Sequence, residues 1–200
     1  MNQILFITAL QAEAQPLILF YQLEKKQLNK KLFYFQKGEI VCLTTGVGAK
    51  NVRKRLSVFL EKMDNNNTIL INVGIAGGNS DHTEIGEMFL VNQIMDEENN
   101  KVYDLQMSLN TGLQELPLTT VNAGVINGGK SYNGLVDMEA AVIIETAIQF
   151  LPIQRMVFLK IVSDHMDKII DRPEQVILFI TNQLPEINRI ISLLIEKIKV

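Results

Sequence analysis

The chain has 200 residues, 47 % hydrophobic and 20 % charged, which excludes disordered and fibrous classes and leaves room for a sizeable core. Nineteen basic residues stand against 22 acidic ones, a formal charge of −3 with no basic stripe, which argues against nucleic-acid recognition through phosphates. Cys42, the lone cysteine, excludes an internal disulfide or a Cys-rich zinc site, and His82 and His165 show no metal-ligand spacing; neither metal nor cofactor is expected.

Ile4–Thr8 is a compact apolar run of the kind a buried strand shows. It lacks the basic start of an export signal, and no stretch approaches the roughly 20 apolar residues of a spanning helix, so a cytoplasmic protein without membrane contact is expected. Gln11–Leu23 puts Ala14, Leu17, Ile18 and Tyr21 on one helical face. Lys31–Gln36 and Glu39–Thr45 flank Lys37-Gly38 as a hairpin. After Gly46-Val47-Gly48, the spacing predicts a helix over Ala49–Met63, stopped by Asp64-Asn65-Asn66-Asn67. Thr68–Val73, Glu87–Met95, Lys101–Gln106 and Leu116–Val121 read as strands, and Asn122–Gly134 as a glycine- and asparagine-rich loop. Asp137–Leu151 is helical by pattern and Arg155–Val162 is a last buried strand. Gln175–Lys199 is amphipathic, with Pro185 expected to divide it or to open a second helix. Helices follow strands throughout, with no linker or repeat. The pattern predicts one α/β domain over residues 1–200, a central mixed sheet flanked by helices.

In such a sheet, ligands gather at the carboxyl ends of the strands. There the chain offers Ala9–Glu13, Gly46-Val47-Gly48, Gly74–Gly78, Asp137-Met138-Glu139 and Ser163-Asp164. Glu13, Glu139 and Asp164 are therefore expected to meet at one end. Each also has an ordinary structural explanation: Glu13 and Glu139 oppose a helix dipole from a first turn, and Asp164 caps the segment after Ser163. Gly46-x-Gly48 lacks the acidic residue of a dinucleotide site about 20 positions on. No Gly-x-Ser-x-Gly elbow accompanies Asp164-His165, so a hydrolase triad is not supported.

Six segments stand together in the order and approximate spacing of one family: Ala9–Glu13, Thr45–Gly48, Ile71–Gly78, Ile85–Glu87, Val136–Ala140 and Val162–Asp164. The chain resembles the purine nucleoside phosphorylase/uridine phosphorylase superfamily, most closely its hydrolytic branch. That branch contains 5′-methylthioadenosine/S-adenosylhomocysteine nucleosidase and futalosine hydrolase. The resemblance implies hydrolysis of a purine nucleoside's N-glycosidic bond, without a cofactor, in nucleoside metabolism such as methionine salvage. It assigns Glu13 to the base that activates water and Asp164 to the acid that protonates N7 of the leaving purine. Glu139 would hold the ribose hydroxyls, with Met138, Gly77, Ile126 and Val125 lining the nucleoside site.

The chemistry fits those residue types. Breaking the bond builds positive charge on the sugar and negative charge on the base, so an acid must serve the base and a carboxylate must polarise water. Ribose hydroxyls need a bidentate acceptor. Four positions depart from the family pattern. Ile75 replaces a hydroxyl residue, Lys160 an arginine, and Val125 a phenylalanine, while the loop Gly128–Leu135 is shorter. They leave the base and the 5′ substituent open, together with two alternatives, a phosphorylase and a non-catalytic nucleoside-binding protein. A homodimer is expected from the resemblance and from apolar residues in excess of what one sheet needs, Leu19-Phe20-Tyr21, Phe59, Met88 and Phe89.

Overall fold

The computed structural model describes residues 3–105, 110–168 and 172–198. Its strands are β1 (Gln3–Thr8), β2 (Glu24–Asn29), β3 (Leu32–Lys37), β4 (Ile40–Thr44), β5 (Thr68–Gly78), β6 (Met88–Asp96), β7 (Lys101–Asp104), β8 (Glu115–Thr120), β9 (Leu135–Asp137) and β10 (Met156–Asp164). Its helices are α1 (Gln11–Phe20), α2 (Ala49–Leu60), α3 (Ala140–Ala147) and α4 (Pro173–Ile198). This is the α/β class with a mixed sheet that the sequence predicts.

β5 is the hub. It runs parallel to β1 on one side and to β10 on the other, and its last residues also pair antiparallel with β9. β10 pairs with β6, β6 with β8, and β8 with β9, so these four strands return to β5 and close a five-stranded ring. β4, β3 and β2 extend the sheet beyond β1, while β7 hangs on β6. β1 and β10 are apolar on both faces because both faces are covered. Leu5, Ile7 and Phe158 pack with Leu56 and Phe59 of α2 and Ile143 of α3. Ile4, Phe6 and Val157 pack on the other side with Leu17 of α1 and Ile180 and Ile187 of α4.

Several boundaries differ from the sequence reading. Pro185 does not divide the last helix: it is exposed, and Val176, Ile180, Leu184, Ile187, Ile191 and Leu194 continue one buried stripe past it. Continuous packing outweighs the one backbone bond that proline forfeits. β2 has no counterpart among the predicted strands, since Glu-Lys-Lys-Gln-Leu-Asn carries no apolar alternation; it exists because β3 offers it a partner. The run after Val73 stays extended instead of turning, because β10 and β9 both bond to Gly74–Gly78. Asp137 ends a strand instead of opening a helix. Phe59, Met88 and Phe89 are core, so they supply no surface for a partner; Leu19 and Phe20 remain exposed. Gln106 and Lys199, the ends of two predicted elements, lie outside the described residues.

Where β8 crosses the approach to β9, the backbones come close. A Cβ at Gly134 would overlap the Pro117 carbonyl oxygen and stand 3.0 Å from its ring. Gly134→Ala should therefore cost about 1–3 kcal/mol of stability by overpacking. A urea midpoint that falls without a change of slope is the expected reading.

Candidate active site

Glu13 occupies the third position of α1, whose N-cap residue, Leu10, has no side-chain acceptor. The carboxylate does that work itself. Its Oε2 accepts the backbone N–H groups of Ala9 and Leu10 at 2.9 Å each, and its Oε1 accepts that of Ile75 at 3.0 Å. The group thus joins the end of β1 to the end of β5. It lies over Gly74, where a Cβ would come within 2.8 Å of Oε1, so glycine there makes room for the acid. Burial raises the Glu13 pKa above the usual carboxylate range, against the pull of the Leu10 N–H, the Lys160 ammonium, and the Ile75 and Ala9 N–H groups.

Glu139 is the residue before α3 and sits at its N-terminus rather than in its first turn. Its Oε1 accepts the Gly48 N–H at 2.9 Å, and Gly48 holds φ at +85°, a conformation that favours glycine. Burial, and next the charge of Asp137, push the Glu139 carboxyl up to about 7, while the Gly48 N–H and Lys160 act in the other direction. Asp164 ends β10. Its Oδ1 accepts the Met166 N–H at 2.8 Å, and its Oδ2 lies 2.6 Å from the Ser163 hydroxyl, which donates to it.

Beneath them lies an ion pair that the sequence reading does not anticipate. Lys160 Nζ and Asp137 Oδ2 are 2.8 Å apart, with both side chains nearly inaccessible. Asp137 Oδ1 also accepts the Thr120 hydroxyl at 2.8 Å, and its carboxylate takes the Ala140 N–H that opens α3. Burial works against the charged form of Lys160, but Asp137 and, beyond it, Glu13 and Glu139 outweigh this and raise its pKa. The signal was present: a lysine inside an apolar strand buried on both faces requires a partner.

These groups surround a cavity of about 270 Å³. Glu13, Glu139, Asp164, Met138, Gly77 and Val125 all line it, as do Ile75 and Asp137. Ile126 does not; it is 61 % exposed and lies outside the lining. Met166 and Lys168, neither of them singled out from sequence, line it too. Met166 is buried with φ at +57°, and at Gly77 a Cβ would meet its side chain at 2.6 Å, so the methionine closes the wall where glycine leaves room. Among the described residues no cluster of His, Cys, Asp and Glu is arranged to hold a metal ion.

No protein-family model and no curated protein matches the sequence. Solved structures do match in fold. The apo 5′-methylthioadenosine nucleosidase of Arabidopsis thaliana is 20 % identical, with a TM-score of 0.76 over 97 % of this chain and 95 % of that one. A futalosine hydrolase mutant of Helicobacter pylori is 12 % identical, with a TM-score of 0.79 over 96 % and 99 %. The 5′-methylthioadenosine/S-adenosylhomocysteine nucleosidase of Neisseria meningitidis, in complex with methylthio-immucillin-A, is 14 % identical, with a TM-score of 0.77 over 94 % and 99 %. The chain therefore has the fold of these nucleosidases, the fold that the sequence resemblance implies.

The raised Glu139 pKa links this site to stability. Because the folded chain binds that proton more tightly than the unfolded chain, stability falls as pH rises from 4.5 to about 7. Glu139→Gln keeps an acceptor for Gly48 and removes the ionisation. It should stabilise the free protein above pH 7 by up to about 3 kcal/mol and change little near pH 4.5. Thermal unfolding of both proteins at pH 5 and pH 8 measures the difference.

Proposed function

We propose that this chain, as one nucleosidase-like domain over residues 1–200, hydrolyses the N-glycosidic bond of a purine nucleoside. One observation carries the reading: three carboxylates from distant segments, Glu13, Glu139 and Asp164, line one apolar-walled cavity at the carboxyl ends of β1, β5 and β10. The nucleosidase folds it shares, including one in complex with methylthio-immucillin-A, support the same reading.

Departure of the base leaves positive charge at the anomeric carbon and an electron pair on the purine. Asp164 delivers a proton to N7 of that purine. Water attacks from the opposite face of the sugar and gives its proton to Glu13, whose raised pKa makes it a better acceptor than an exposed glutamate. Glu139 accepts the ribose hydroxyls and fixes the sugar between the two. Val125, Met138, Gly77 and Met166 form the wall against which the purine lies, and Ile126, exposed and outside the lining, takes no part in it.

Water, not phosphate, is the acceptor in this reading. The N–H groups of Ala9, Leu10 and Ile75 are taken up by Glu13, and that of Gly48 by Glu139, so an incoming anion meets carboxylates in place of open donors. Ile75 contributes its backbone here, so the hydroxyl it replaces is not needed to hold the base residue. A location in the cytoplasm and a place in nucleoside metabolism, of which methionine salvage is one branch, complete the reading. So does a homodimer in which a second subunit narrows the open rim, with the exposed Leu19 and Phe20 of α1 offering apolar contact.

Glu13→Gln and Asp164→Asn should each lower turnover by about 10²–10⁴-fold while the fold survives. Release of free base from a panel of purine nucleosides, with and without phosphate, is the assay. Release that requires phosphate would transfer the chain to the phosphorylases. Nucleoside binding with no release at high enzyme concentration would make it a binding protein.

Light scattering at micromolar concentration tests the assembly. The expected mass is twice 22.6 kDa, and a fully active monomer overturns the dimer.

A further inference from the structure

Gly74 leaves a gap between two opposite charges. The point where its Cβ would stand is 2.8 Å from Glu13 Oε1 and 3.5 Å from Lys160 Nζ, so acid and ammonium face each other across a spot bare of side chain. Yet the ion pair that Lys160 makes among the described residues is with Asp137, at 2.8 Å. Asp137 is not free to move with the lysine. Thr120 donates its hydroxyl to Oδ1, Ala140 donates its N–H to the carboxylate, and the Thr120 oxygen accepts the Ala141 N–H at 2.9 Å. That set of bonds ties β8, the end of β9 and the start of α3 into one fixed mount.

We propose that Asp137 is a positioning residue for Glu13: by holding the Lys160 ammonium to itself, it stops that cation from closing across Gly74 onto the carboxylate that receives the proton from water. The inference rests on the reading of Glu13 as the base. A glutamate in a full ion pair is a weak base, and one buried with no cation near it takes up a proton and is no base at all. A lysine held one step away pulls on the Glu13 carboxylate against the effect of burial without forming the full pair. The other ionisable groups around Glu13 are Asp164 on β10, Glu139 at the head of α3, Lys168 on the cavity wall and Cys42 on β4. None of them sits in the gap over Gly74.

The test reads the Glu13 proton directly and without substrate. The carbonyl stretch of the protonated acid is followed by infrared titration of the whole chain, with Glu13→Gln identifying the band. Lys160→Met should move the Glu13 midpoint up and Asp137→Asn should move it down, each by about one unit or more. Lys160→Arg should bring it back toward the original value. Loss of either charge shifts Glu13 in these directions by Coulomb's law alone, so the positioning itself is read from a further variant. Unchanged midpoints, or shifts of the same sign, overturn the proposal. Thr120→Val removes one bond from the mount and leaves every charge in place, and it stands alone as the test should Asp137→Asn fail to fold. It must lower the midpoint by a smaller amount, and no movement overturns the proposal. A chain that releases no base from any nucleoside defeats the enzymatic reading instead, because the titration does not depend on turnover.

Discussion

The carboxyl end of β5 has to be bare, and the site is arranged around that constraint. Gly74 yields its side-chain volume to the Glu13 carboxylate, Gly77 to Met166 and Asp164, and Gly78 to Thr83 and Val162. Ala76, between them, carries only a methyl group. Each missing side chain is replaced by a group from a distant segment, so β5 is a strand whose neighbours in space supply what its sequence omits. The double pairing of this end, with β10 on one side and β9 on the other, keeps so glycine-rich a stretch extended.

The legible and the illegible parts of the sequence have one cause, the reach of local pattern. β1, the body of β5 and β10 are legible because burial on both faces demands unbroken apolar runs. The meeting of Glu13, Glu139 and Asp164 at one end is legible because strand ends are where such a sheet places its loops. The last residues of β5 look like a turn because glycine marks turns in most contexts, and only the tertiary pairing of both edges reverses that. β2 and β9 are silent: one is polar throughout and the other spans three residues, so neither carries a periodic signal. Ile126 falls in the lining by its place in a family pattern, yet the loop around it leaves it exposed. Lys160 stands out as a departure but its partner does not, since pairing between β10 and the end of β9 is invisible until the ring of strands closes.

Five buried ionisable side chains so close together, Glu13, Asp137, Glu139, Lys160 and Asp164, oppose folding, for each must leave water. The protein meets this with geometry. Almost every carboxylate oxygen at the site accepts a backbone N–H or a hydroxyl, and the lysine is neutralised by the residue that also starts α3. Two apolar layers, one under α2 and α3 and one under α1 and α4, supply the favourable term that such a cluster needs. The site is therefore preorganised before anything binds, and the scaffold, not the ligand, sustains the strain of its charges.

Closing five strands into a ring has one more effect, at the outer margins. Among the described residues the strands left with an unpaired side are β2 and β7. β7 is only four residues long, and β2 is exposed and rich in lysine. At each, a lysine lies over an aromatic ring: Lys25 is 4.3 Å from the centre of Phe33, and Lys101 is 5.0 Å from that of Tyr103. A foreign strand approaching either margin would have to displace a solvated cation from an aromatic face before its first hydrogen bond formed. A chain whose mean hydropathy is as high as +0.13 thereby resists open-ended stacking into fibrils.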